Sequence, residues 1–91
     1  PTGFLINTAR GAVIDHDALY EALAGGWIAG AAIDVTEPEP LPRDHPLLAL
    51  DNLIFAPHLG TSTIDTRLTM AEMTRANLVA GLRGEPLAHP V

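Results

Sequence analysis

Cysteine is absent from the sequence, so disulfides and thiolate chemistry are excluded. Aromatic residues make up only 4% of it, and any core must rest on Ala, Leu, Ile and Val. Basic residues are few, five against eleven acidic, giving a formal charge of −6. That balance argues against nucleic acid or an anionic membrane surface as a partner, because both call for basic patches. No apolar run approaches the roughly 20 residues of a membrane span. Serine occurs once, at Ser62, with no nucleophile elbow around it. His16, His45, His58 and His89 are widely spaced and form no metal motif. Gly-x-Gly-x-x-Gly does not occur either, so the phosphate-binding turn of a dinucleotide fold is missing.

What is present is a chain of 91 residues, 47% hydrophobic, smaller than a usual domain but able to form a core. Pro1-Thr2-Gly3-Phe4 matches neither a signal peptide nor an initiation site, and reads as a chain entered partway through a larger domain. Phe4-Leu5-Ile6, ending in Asn7-Thr8, is expected to be a fully buried parallel strand. Asp15 is the expected N-cap of a helix carrying Ala18, Leu19, Ala22 and Leu23 at helical spacing, with Gly25-Gly26 as its stop. Ile28 to Ile33 reads as a second buried strand whose small residues imply close packing of helix on sheet. Thr36 to Pro46 holds Pro38, Pro40, Pro42 and Pro46, which rule out regular structure and favour an ordered, functional loop. Leu47 to Leu50 is expected as one short helical turn, and Asp51-Asn52 leads into a third strand, Leu53-Ile54-Phe55. From Ser62 to Leu82 the pattern is helical. Ile64, Leu68, Ala71, Leu78 and Leu82 mark an apolar face wide enough to need a partner.

The three strands end in Arg10, Asp34 and His58, each 24 residues from the next. In an α/β protein, ligands bind beyond the carboxyl ends of the strands. A guanidinium on a glycine-flanked turn can grip a carboxylate with two parallel hydrogen bonds, form a structural ion pair or simply be solvated at the surface. A carboxylate closing an apolar strand is costly if unpaired. Asp34 is therefore a ligand-amide acceptor, a helix cap or a partner of Arg10. His58, between Pro57 and Leu59-Gly60, has the proton-transfer chemistry of an imidazole near neutral pH, or is a buried histidine tied to a carbonyl. Glu37 or Glu39 in the proline loop could orient that imidazole.

Four stretches resemble the C-terminal signatures of the D-2-hydroxyacid dehydrogenase family over nearly the whole chain. They are Asn7-Thr8-Ala9-Arg10-Gly11, Gly30-Ala31-Ala32-Ile33-Asp34-Val35, Glu39-Pro40 and Pro57-His58-Leu59-Gly60. His45-Pro46-Leu47-Leu48 and Asn77-Leu78-Val79-Ala80-Gly81-Leu82-Arg83-Gly84-Glu85-Pro86 further resemble the animal-type glyoxylate/hydroxypyruvate reductase branch.

The resemblance implies an α/β fold: the C-terminal half of a Rossmann-like doubly wound parallel sheet, plus a long C-terminal helix. Residues 1–61 would form part of an NAD(P)-binding domain, and residues 62–91 would return toward a substrate domain. It also implies hydride transfer from NADPH or NADH to a small 2-oxo acid. Arg10 would bind the substrate, His58 would donate the proton and Glu39 would hold the imidazole, leaving Glu37 facing solvent. Thr8, Ala9, Arg10, Asp34, His58 and Gly60 would line the cofactor, with Asp34 accepting from the nicotinamide carboxamide. The residues choosing between NAD and NADP would lie upstream. The expected setting is a cytoplasmic homodimer with no metal, nucleic acid or membrane partner. A rival on the same fold is the C-terminal-binding type of transcriptional corepressor, which keeps the Arg, Glu and His. Its histidine precedes an alanine pair and a tryptophan, where this sequence has Leu59-Gly60-Thr61.

Overall fold

The computed structural model describes residues 1–90, in two compact units: residues 1–60, and the remainder from Thr61 onward. In the first unit, β1 (Phe4–Asn7), β2 (Gly30–Ile33) and β3 (Leu53–Phe55) form a parallel sheet in sequence order. Parallel neighbours need crossover connections. Helix α1 (His16–Ala24) lies in the first, and the proline-rich segment with a 3-10 turn at Pro46–Ala49 makes the second. This is the expected order of elements, in an α/β unit with the parallel sheet of a Rossmann-like fold.

Local chemistry sets the ends of these elements. The Asp15 carboxylate accepts the N–H groups of Asp17 and Ala18, which α1 itself cannot satisfy. At the other end Gly26 takes φ +67°, letting Trp27 N–H donate to the Ala22 carbonyl at 2.9 Å. Pro46 opens the 3-10 turn, where its missing N–H costs nothing. Strand β2 starts at Gly30, later than the expected Ile28, because the chain is still leaving the α1 turn through Trp27.

Leu19 and Leu23 of α1 form the core with Ala31, Ile33 and Leu53 of the sheet and Leu47 of the 3-10 turn. This covers one face of the sheet only, which corrects the expectation for β1. Rather than being fully buried, β1 alternates. Leu5 packs on the core and Asn7 is buried, whereas Phe4 and Ile6 are 75% and 73% exposed. The register gives the reason. Ile6, Ala32 and Ile54 lie side by side across the three strands on the open face, and Ile54 is 69% exposed.

The second unit is α2 (Ile64–Leu82) and a short tail. Its helix begins two residues after Ser62, with Thr63 as N-cap accepting the Thr66 N–H at 3.2 Å. The tail folds back on it: the Asn77 amide donates to the His89 carbonyl at 2.6 Å and accepts the His89 N–H at 2.9 Å. Ile64, Leu68, Leu78 and Leu82 of the expected apolar face are exposed. Among the described residues, no helix is long and apolar enough to cross a membrane.

Leu47 is wholly buried and ties the second crossover to α1 and the sheet, whereas its neighbour Leu48 is exposed. Leu47→Ala should therefore lower the unfolding free energy in chemical denaturation by about 2–5 kcal/mol. Leu48→Ala should cost much less, and equal losses would contradict a core on this face.

Candidate active site

The turn after β1 is closed by Asn7, whose side chain donates to the Arg10 carbonyl at 2.9 Å and accepts the Ala9 N–H at 3.0 Å. Thr8, Ala9 and Arg10 are thereby held at the exposed strand end. The Arg10 guanidinium donates to the Ala9 carbonyl at 2.7 Å. It forms no ion pair with Asp34 among the described residues. Gly11 follows and is buried so closely that a Cβ there would lie 2.0 Å from the Thr36 carbonyl carbon. The first turn thus sets the backbone position at which the proline loop departs.

Asp34, at the end of β2, holds the third strand end with three bonds. Its backbone carbonyl accepts the His58 N–H at 2.9 Å, a donor shared with the Ala56 carbonyl at 3.0 Å. Its two carboxylate oxygens accept the next two N–H groups, Leu59 at 2.6 Å and Gly60 at 2.8 Å. Successive N–H groups around a left-handed residue form an anion-binding concavity, and here the chain's own carboxylate fills it. His58 is that residue, at φ +57°, a conformation side chains rarely adopt. The Leu59 N–H, then the Gly60 N–H, hold the Asp34 carboxyl below its ordinary range; burial opposes them and the His58 charge adds to them.

In this backbone pose the His58 ring meets Glu39, with Nδ1 and Oε1 2.8 Å apart and both side chains about half exposed. His58 Nε2 has no hydrogen-bond partner among the described residues. Glu37, two residues before Glu39, is exposed and contributes only its backbone N–H, directed at His16. Two strand ends and the proline loop therefore bring Asp34, His58 and Glu39 into one connected group, and Arg10 stands outside it.

Thr8, Asp34 and Gly60 line one hollow of about 330 Å³ at the strand ends, floored by Ile6, Ala32 and Ile54. A flat, partly polar ring fits such a site, with an apolar floor and a carboxylate at the rim. A larger hollow of about 520 Å³ is bounded by Asp34, Thr36, Glu39, Leu41, Leu48 and Phe55. No three His, Asp or Glu side chains among the described residues could hold a metal ion.

Two contributors escaped the reading of the sequence. In the sequence Asn7 reads as the polar end of a strand, although an Asn opening a turn commonly bonds its own backbone two residues on. The bonds from Asp34 to residues 25 and 26 positions away carry no local signal at all.

Because the Asp34 carboxyl is shifted downward in the folded state, its stabilising contribution is complete above the unfolded value, about 3.9. It is lost as pH falls through the lower folded value. Asp34→Asn keeps the shape but presents one donor to a backbone N–H. Denaturation curves between about pH 5 and pH 2 should show the wild type losing stability more steeply than the variant. Parallel curves would mean that the carboxylate charge does not hold this loop.

Residues 1–60 match the family described as D-isomer specific 2-hydroxyacid dehydrogenase, NAD binding domain. The chain is 57% identical over 84 residues to glyoxylate reductase of Thermofilum pendens, covering 92% of this chain and 25% of that protein. It is 55% identical over 86 residues to human glyoxylate reductase/hydroxypyruvate reductase, covering 94% and 26% respectively. Among solved structures, it resembles the NADPH-dependent glyoxylate/hydroxypyruvate reductase of Sinorhizobium meliloti in complex with NADP and malonate. That match has a TM-score of 0.85 and 38% identity, covering 99% of this chain and 28% of the other. The chain spans about a quarter of the length of the curated relatives it matches. The parallel sheet and these matches agree: the chain belongs to the D-isomer specific 2-hydroxyacid dehydrogenase family, and its residues 1–60 match the family's NAD binding domain.

Proposed function

We propose that this chain carries the proton donor and the substrate arginine of an NAD(P)H-dependent reductase of small 2-oxo acids, of the glyoxylate and hydroxypyruvate type. The observation that carries the reading is the His58–Glu39 contact at 2.8 Å, beside a hollow lined by Thr8, Asp34 and Gly60. When bound there, a reduced nicotinamide supplies hydride to the 2-oxo carbon. Asp34 lines that hollow, and a carboxylate has lone pairs beyond those used by two N–H groups, so it can also accept from a carboxamide. Thr8 and Gly60 also line it, and Ala9, on the adjacent turn, is assigned to the cofactor by the family resemblance.

The chain's own residues handle charge and protons. Arg10 has five N–H donors and uses one on the Ala9 carbonyl. The rest can take a substrate carboxylate in a planar, two-bonded grip. His58 gives the Nε2 proton to the substrate oxygen as that oxygen takes up charge. Glu39, on Nδ1, fixes the ring and compensates its charge in the protonated form. In the reverse direction neutral His58 takes the proton back. Residues 1–61 belong, in this proposal, to the cofactor domain and residues 62–91 return toward a substrate domain. The homodimer and the cytoplasmic setting rest on the family resemblance.

The test is the turnover of glyoxylate and hydroxypyruvate by variants of the complete protein. Glu39→Gln removes the charge beside the His58 ring and keeps a hydrogen-bonding amide, so kcat for reduction should fall while cofactor affinity holds. Glu37→Gln should leave both in place. A loss with Glu37 and none with Glu39 would overturn the assignment. Cofactor binding without turnover of any 2-oxo acid would favour the corepressor-type reading.

A further inference from the structure

Two histidines that the proposed reaction does not use flank the proline loop that carries Glu39: His16 on α1 meets its start, and His45, near its far end, caps the 3-10 turn that follows. Near the start of the loop, His16 Nδ1 lies 3.0 Å from the Ile14 carbonyl, while its Nε2 accepts the Glu37 N–H at 3.4 Å. A carbonyl only accepts and a backbone N–H only donates, so this ring is neutral with its proton on Nδ1. Near the far end, His45 Nδ1 accepts the Leu47 N–H at 3.3 Å and caps the 3-10 turn. That ring is neutral with its proton on Nε2. The two rings pack edge to face, their centroids 6.1 Å apart.

We infer that His16 and His45 are positioning residues, a neutral latch that holds the Glu39 loop and opens on protonation. A proton on His16 must go to Nε2, and one on His45 to Nδ1, so each would replace an acceptor with a donor facing a backbone N–H. Charging both also sets like charges side by side. The charged neighbours in sequence are Asp15 and Asp17 on either side of His16, and Arg43 and Asp44 just before His45, while Glu37 is the residue whose N–H meets His16. Asp15 is occupied in capping α1. Neither ring is ion-paired with a carboxylate among the described residues. The latch stands on this geometry alone; its effect on turnover rests on the proposed reduction.

The experiment is to record backbone amide and histidine ring spectra of the complete, 15N-labelled protein between about pH 8 and pH 5. The Glu37 and Leu47 amide signals should shift with the midpoints of the His16 and His45 rings, while the Ala31 amide in the sheet stays fixed. His16→Gln with His45→Asn keeps an acceptor at each position but removes the titration, so both shifts should vanish. Reduction by the double variant should then fall less on the acid side than that of the wild type. Amides that stay still while both rings titrate would overturn the latch, and so would shifts undiminished in the double variant. If the double variant does not fold, the wild-type titration alone decides. Failure of the proposed reduction would look different, with no turnover at any pH and the amide shifts intact.

Discussion

Three backbone N–H groups in a row, those of His58, Leu59 and Gly60, end on one residue, Asp34. The rest of the candidate site depends on that fastening. A non-glycine residue in the left-handed region costs roughly 1–2 kcal/mol, and a loop free to relax would leave it. Asp34 makes the left-handed pose at His58 the one in which all three donors are satisfied. The third strand end thus takes its shape from the second, and the imidazole is carried to the place where Glu39 meets it.

Glu39 reaches that place by a separate route. Its loop cannot rely on ladder hydrogen bonds, since proline after proline removes the donors. The loop is placed by close approach and by side-chain acceptors. The Gly11 backbone packs against the Thr36–Glu37 peptide, Thr36 Oγ1 donates to the Pro38 carbonyl at 2.8 Å, His16 takes an N–H near its start, and His45 takes one in the 3-10 turn that follows it. Two independently anchored segments meet at a single contact of 2.8 Å. Such a site is sensitive to changes at Gly11, whose backbone touches the loop and not the His58–Glu39 pair.

Much of the fold was legible in the sequence, because the signals that end α1 and the Pro46 turn are local. Asp15, Gly25-Gly26 and the prolines act on neighbours within a few residues. What covers each face of the sheet is a property of the assembled layers, so the run Phe4-Leu5-Ile6 could not show that only Leu5 packs on the core. The pairing of His58 with Glu39, chosen over Glu37, came from the family resemblance. The geometry has the same pair in contact, although the run Glu37-Pro38-Glu39 offers two carboxylates of equal appearance. The role of Asp34 toward the His58 loop had no sequence signal, because its partners lie 25 and 26 residues away.

The most direct test of the fastening is a crystal structure of the Asp34→Ala variant of the complete protein, set beside the wild type. The alanine keeps the backbone carbonyl and removes both carboxylate oxygens. The account predicts that residues 58–60 relax, that His58 leaves positive φ, and that the Nδ1–Oε1 contact with Glu39 is lost while the sheet is unchanged. His58 still at positive φ and still on Glu39 would contradict it.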